Sequence, residues 1–146
     1  MKRVYAREEV CMGCGLCEVY CIAAHSRNRD NVIKAYKKEK PRPVSRIIVE
    51  RETPISFGLQ CRHCENAECI SACIAGAMQR ERETGIVKND PERCVGCWTC
   101  ILACPFGVIV RDENGKKAAS KCDLCSQSGD LPACVKNCPI VSLVFD

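Results

Sequence analysis

The apolar positions of this chain come in short pieces, none approaching the 18 consecutive residues expected of a membrane span. Ala77–Glu81 and Ile86–Asn89 flank Thr84-Gly85, and Val108–Arg111 and Lys116–Ala119 flank Asn114-Gly115. Both arrangements predict β-hairpins around turn dipeptides. Arg3–Ala6 and Ser142–Phe145 are predicted terminal strands that pair across the fold. Helices are predicted over Leu16–His25, Asn66–Ala75, Trp98–Cys104 and Leu131–Asn137. All are too short to be stable in isolation. Hairpin, loop and helix recur, which predicts an α+β fold of small elements. Residues 26–51 break the repetition, and Pro41 and Pro43 argue against a continuous helix through them.

Composition changes this picture. A chain of 146 residues makes one compact unit or two small ones closely packed. Its hydrophobic fraction is 47%, but sixteen cysteines inflate that figure, and ordinary apolar residues make up only about 36%. Such a chain is short of material for a conventional core, so bound metal is expected to supply much of the folding free energy. The metal-free chain is expected to be largely unfolded. The N-terminal MKRVYAREEV has no apolar stretch of signal-peptide length. A chain this rich in cysteine without a leader is expected in a reducing compartment, the cytoplasm by default.

The cysteines fall into four groups: Cys11, Cys14, Cys17, Cys21; Cys61, Cys64, Cys69, Cys73; Cys94, Cys97, Cys100, Cys104; and Cys122, Cys125, Cys134, Cys138. Each opens with C-x₂-C and closes with C-x₃-C, and the latter spacing places its two thiols one helical turn apart. The third group, C-V-G-C-W-T-C-I-L-A-C-P, fits the bacterial ferredoxin run C-x₂-C-x₂-C-x₃-C-P in full. Three cysteines on a tight loop can cap one face of a cubane, while the fourth leads away along the helix to a neighbouring cluster. Gly96 lets the backbone bend close to the cluster. The first group has the same spacing with Ile22 in place of proline, and the second and fourth carry a longer loop before the third cysteine. Sixteen thiolates suffice for four [4Fe–4S] clusters. Tetrahedral zinc is the competing reading, but zinc uses two separated C-x₂-C knuckles rather than four cysteines within eleven residues. Disulfides fit a secreted chain better than this one. No G-x-G-x-x-G, P-loop, C-x₃-C-x₂-C or nucleophile constellation is present. Of the two histidines, His25 and His63, the second lies between Cys61 and Cys64. A surface or packing role is favoured for it over tuning a cluster by hydrogen bonding. Trp98 reads equally as a shield of a cluster from water and as plain packing.

Cluster binding inverts the apparent charge. Sixteen thiolates contribute −16 and four oxidised clusters +8, which takes the +4 chain to about −4. Basic character is therefore no argument for nucleic-acid binding. Residues 26–51 carry nine basic side chains (Arg27, Arg29, Lys34, Lys37, Lys38, Lys40, Arg42, Arg46, Arg51) against Asp30, Glu39 and Glu50. The segment reads as a solvated connection or, alternatively, as a docking surface for an acidic partner.

The stretches EEVCMGCGLCEVYCIAAHS, LQCRHCENAEC and ERCVGCWTCILACPFG resemble the four-cluster, ferredoxin-like electron-transfer subunits of anaerobic oxidoreductases. That family includes the iron–sulfur subunits of dimethyl sulfoxide reductase, formate dehydrogenase and formate hydrogenlyase. The nearest resemblance is to the iron–sulfur proteins associated with nickel CO dehydrogenase. It implies two pseudo-symmetric ferredoxin-like units, an outer one from residues 1–25 plus 120–146 and an inner one from 52–119, joined by the basic segment 26–51. The implied ligand sets are Cys11, Cys14, Cys17 with Cys138; Cys122, Cys125, Cys134 with Cys21; Cys61, Cys64, Cys69 with Cys104; and Cys94, Cys97, Cys100 with Cys73. No proline follows Cys21 or Cys73, and the C-terminal membrane anchor that some relatives carry is not expected. The implied role is a non-catalytic conduit from CO dehydrogenase to a flavin NAD(P) reductase, a hydrogenase or another ferredoxin. A formate dehydrogenase, aldehyde oxidoreductase or hydrogenase is the alternative enzyme partner. A zinc-dependent module that binds nucleic acid is the alternative of another class.

Overall fold

The computed structural model describes residues 2–112, 119–128 and 131–146. Among these, eight strands pair two by two into four antiparallel ribbons. β1 (Val4–Ala6) pairs with β8 (Leu143–Phe145), Val4 opposite Phe145. β2 (Ile47–Glu52) pairs with β3 (Ile55–Gln60), β4 (Met78–Arg80) with β5 (Val87–Asn89), and β6 (Val110–Arg111) with β7 (Ala119–Ser120). Five short helices lie between them: α1 (Leu16–Ala24), α2 (Val32–Lys37), α3 (Glu68–Ser71), α4 (Thr99–Ala103) and α5 (Ala133–Lys136).

The expected helices and the pairing of the terminal strands are present, with the helices trimmed at their ends. α3 is the most shortened, because the chain turns at Cys73–Gly76, where the N–H of Gly76 donates to the Cys73 carbonyl at 3.1 Å. The dipeptide Asn114-Gly115 and residues Lys116 to Ala118 lie outside the described residues, and the strand expected from Lys116 is described only at Ala119–Ser120.

Residues 26–51 differ from the expected connection. Asn31 caps α2, its side-chain oxygen accepting from the Lys34 N–H at 2.9 Å. The helix ends before Pro41 and Pro43, and β2 begins after them. β2 runs through the boundary expected at 51/52 and turns at Thr53-Pro54 into β3. Ile47 and Val49 face inward while Glu50 to Glu52 stay exposed, the alternation of a half-buried strand. The high charge of the segment hides this pattern in the sequence.

One core cluster gathers Val4, Ile47 and Leu143 with Cys21, Cys61, Cys122 and Cys134; a smaller one gathers Met78, Val87, Ile109 and Ala119 with Cys100. Cysteines therefore stand inside both cores in place of the aliphatic residues the composition lacks. α1 packs against α5 and α3 against α4, each pair bringing together the helices of two different cysteine groups. Gly58 sits where β3 passes closest to the core. A Cβ there would lie 3.0 Å from Ile47 Cδ1 and 3.2 Å from Leu143 Cδ2.

Candidate iron–sulfur sites

All four cysteine loops open with the same turn. The residue two past the first cysteine is left-handed in each: Gly13 (φ 66°), His63 (φ 47°), Gly96 (φ 71°) and Leu124 (φ 58°). Glycine takes this conformation freely in the first and third loops. His63 and Leu124 take it at a cost of about 1–3 kcal/mol each, which the surrounding structure must hold in place. The turn aims backbone N–H groups at sulfur. His63 N donates to Cys61 Sγ at 3.4 Å and Leu124 N to Cys122 Sγ at 3.4 Å. Elsewhere Arg46 N donates to Cys21 Sγ (3.3 Å), Met78 N to Cys73 Sγ (3.4 Å) and Ser142 N to Cys138 Sγ (3.2 Å). Donors aimed at thiolate sulfur stabilise its negative charge.

Two cavities are lined by four cysteines each. Cys61, Cys64 and Cys69 share one with Cys104, beside His63 and Phe106. Cys94, Cys97 and Cys100 share the other with Cys73, beside Trp98 and Asn89. The remaining thiols show the corresponding neighbourhoods electrostatically. Burial pushes Cys17 up to about 12, and the negative charge of Cys14 and Cys138 adds to the rise. Burial likewise raises Cys134, with Cys122, Cys21 and Cys125 crowding it. Cys122 is pushed up to about 12 and Cys69 to about 11, again chiefly by burial, and in Cys69 by Cys61 and Cys104 as well.

This chemistry tests what the thiols can hold. Four thiols crowded together, some of them buried, oppose one another's ionisation, and a compensating cation is needed for all to be thiolates. A cationic iron–sulfur core meets that requirement, and the donor set fits it. Cys14 and Cys97 are exposed, whereas Cys21, Cys61, Cys100, Cys122 and Cys134 are buried.

Residues 54–146 match the 4Fe-4S dicluster domain family. The chain belongs to that family. It is an iron–sulfur protein, and the zinc reading falls with that assignment. The family match is joined by relatives in Escherichia coli K12. The electron transport protein HydN is 36% identical over 97% of this chain and 85% of its own length. YsaA is 38% identical over 91% of this chain and 82% of its own, and NrfC 36% identical over 94% and 61%.

Several side chains around the cysteine turns went unread in the sequence. Asp123 ties three parts of the chain together. Its carboxylate accepts from His25 Nε2 at 3.1 Å, from Arg46 at 2.6 Å and from the Cys125 N–H at 3.1 Å. Burial alone would push His25 down, but the bonds to Asp123 and Cys21 outweigh it and raise the ring to about 9. Asp123 is held well below the ordinary carboxylate range: its burial is outweighed by His25 and Arg46. Cys21 is lowered despite burial, by the same His25 and by Arg46. Lys121, 3% exposed, donates to the carbonyls of Val87 and Cys122. Only its position beside Cys122 could have flagged it.

The hairpin β2–β3 braces the first loop. Ser56 Oγ donates to the Cys11 carbonyl at 2.7 Å and Arg51 Nε to the Gly13 carbonyl at 2.8 Å, while Glu18 accepts from the Val49 N–H at 2.9 Å. Gly15 takes φ 77°, a left-handed conformation that strains any other residue, beside the Arg51 guanidinium. In the second loop, Arg80 donates to the carbonyls of Cys64 and Glu65. Trp98 caps α4 with φ 61°, lines the Cys94 cavity and lies under the Arg111 guanidinium at 5.1 Å. His63 is fully buried, which corrects the surface role considered for it.

Proposed function

We propose that this protein is a non-catalytic electron conduit carrying four [4Fe–4S] clusters. The observation that carries the proposal is the pair of cavities in which Cys61, Cys64, Cys69 meet Cys104 and Cys94, Cys97, Cys100 meet Cys73. Each cavity takes three cysteines from one group and the last cysteine of another. The same rule assigns Cys11, Cys14, Cys17 and Cys138 to a third cluster and Cys122, Cys125, Cys134 and Cys21 to a fourth, in line with the packing of α1 on α5. Residues 1–25 with 120–146 then form an outer ferredoxin-like unit and 52–119 an inner one, with 26–51 between them.

Each cluster, when bound, supplies a one-electron couple. The protein's part is to hold the thiolates, aim N–H groups at them and exclude water from the buried ones. HydN is named for electron transport, which supports the same role here. CO dehydrogenase is our first choice of donor enzyme, on the motif resemblance. A formate dehydrogenase, aldehyde oxidoreductase or hydrogenase is the alternative, with a flavin NAD(P) reductase, hydrogenase or ferredoxin as acceptor in the cytoplasm. Among the described residues no helix is long and apolar enough to cross a membrane.

Iron and acid-labile sulfide determination on anaerobically purified protein tests the cluster count. About sixteen of each per chain is expected, and a value near eight would sink the four-cluster assignment. Affinity purification from the native host tests the partner: recovery of a molybdenum or tungsten enzyme in place of a nickel one removes CO dehydrogenase.

A further inference from the structure

His63 carries a buried proton donor with nothing to donate to. Its Nδ1 accepts from the Val87 N–H at 3.1 Å. A ring nitrogen that accepts carries no proton, so the single proton of the neutral ring sits on Nε2. That Nε2 is buried and has no hydrogen-bond partner among the described residues. The charged groups that act on the ring are chiefly cationic, Lys121, Arg3 and Arg80, with Asp123 the one carboxylate among them. Buried donors in folded proteins are almost always paired, so an orphan points to an acceptor that the polypeptide does not supply. The ring lines the cavity formed by Cys61, Cys64, Cys69 and Cys104.

At the equivalent position of the turn the other three loops carry no side-chain N–H, although Thr99 Oγ1 donates to Cys97 Sγ at 3.4 Å and His25 Nδ1 lies 3.9 Å from Cys21 Sγ. The equivalent left-handed positions are Gly13, Gly96 and Leu124. One of four otherwise similar turns therefore places a ring with an unpartnered N–H in the lining of its cavity.

We propose that His63 donates its Nε2–H to sulfur of the cluster held by Cys61, Cys64, Cys69 and Cys104, and that this bond sets that cluster's potential above the one it would otherwise have. The proposal rests on the reading that these four cysteines bind a cluster. A donor at sulfur favours the reduced, more negative state, because the bond strengthens as charge is added. His63 is thus a positioning and tuning residue. It gives the Cys61 site a buried donor distinct from the Thr99 hydroxyl that donates to Cys97 Sγ at the other inner site.

The test uses two variants of the full chain, reduced in steps of applied potential and followed by the EPR of the reduced clusters. In His63→Asn the amide oxygen can still accept from Val87 N–H, and asparagine tolerates the positive φ, but no donor reaches the position of Nε2. In His63→Gln an amide N–H reaches that position. Both variants are expected to keep the wild-type iron content. In His63→Asn one titrating component shifts to lower potential, its reduced-to-oxidised ratio at fixed potential falling about tenfold, equivalent to about 59 mV for a one-electron couple. His63→Gln stays near wild type. Unchanged titrations of His63→Asn at full iron would overturn the proposal, as would equal shifts in both variants. Loss of one cluster's iron from both would show a structural prop and overturn it too. Failure of the four-cluster reading is seen separately, as too little iron in the wild-type protein before any variant is made.

Discussion

Replacing Asp123 by asparagine removes one carboxylate from a junction of three segments. The side chain keeps its size and an oxygen for the Cys125 N–H, but its charge is gone. His25 lies at the end of α1, Arg46 in the basic segment and Asp123 in the fourth cysteine loop, so the carboxylate joins two ends of the chain that also meet through the packing of α1 on α5 and the β1–β8 ribbon. The magnitude follows from His25. A rise from 6.5 to about 9 corresponds to about 3 kcal/mol of preference for the charged ring, at 1.36 kcal/mol per tenfold. Cys21 shares in that preference, so about 2–3 kcal/mol falls to Asp123. The partners are 14% and 20% exposed, which leaves little for solvent to screen. The His25 contribution is complete below pH 6.5 and is lost as pH rises through about 9. The mirror contribution of Asp123, depressed in the fold, is complete above pH 4 and lost in acid. The assay is loss of cluster absorbance after addition of excess iron chelator. At pH 7 the variant is expected to bleach tens- to about a hundredfold faster than wild type, at 1.4 kcal/mol per tenfold. Wild type is expected to speed up between pH 7 and 9.5 while Asp123→Asn stays flat. Equal rates at pH 7, or a matching pH slope in the variant, would refute the reasoning.

Gly58→Ala adds a Cβ 3.0 Å from Ile47 Cδ1 and 3.2 Å from Leu143 Cδ2; overpacking of about 1–3 kcal/mol against the roughly 0.5–1 kcal/mol gained by removing a strand glycine predicts faster bleaching, by up to about sixtyfold, and an unchanged rate would mean the core gives way there at no cost. Lys37, Lys38 and Lys40 are exposed together at the C-terminal end of α2 and just beyond it; their triple change to glutamate is expected to slow reduction by the partner enzyme at low salt and to flatten its salt dependence, and an unchanged salt dependence measured by stopped-flow would remove the basic segment from docking.

Much of the cysteine pattern was legible because ligand spacing is local. C-x₂-C and C-x₃-C set turn and helix within a few residues, and α1, α3, α4 and α5 all appear where the spacing puts them. The hairpin β2–β3 was not legible, because exposed charges on Glu50, Arg51 and Glu52 mask the inward alternation of Ile47 and Val49. Nor were the roles of Asp123, Lys121 and His25, since each depends on a partner brought from far along the chain: His25 and Asp123 are 98 residues apart. His63 was noticed for its position between two cysteines, yet its burial follows from β5, whose Val87 N–H it accepts. The left-handed turn itself shows in sequence only where glycine occupies it, at Gly13 and Gly96; Leu124 and His63 adopt it under the constraint of the same loop.

The pairing of β1 with β8 and of α1 with α5 also sets a timetable. At about 5–20 residues per second of translation, α1 leaves the ribosome roughly ten seconds before α5 exists. Through that interval Cys17 and Cys21 belong to a nascent segment whose packing partners have not been made. The inner ribbons and helices, α3 with α4 and β4 with β5, lie within a few dozen residues of each other and can assemble at once. Under the proposed cluster arrangement the polypeptide has two clocks for iron: an early one for the middle of the chain, and a late one for the joined ends.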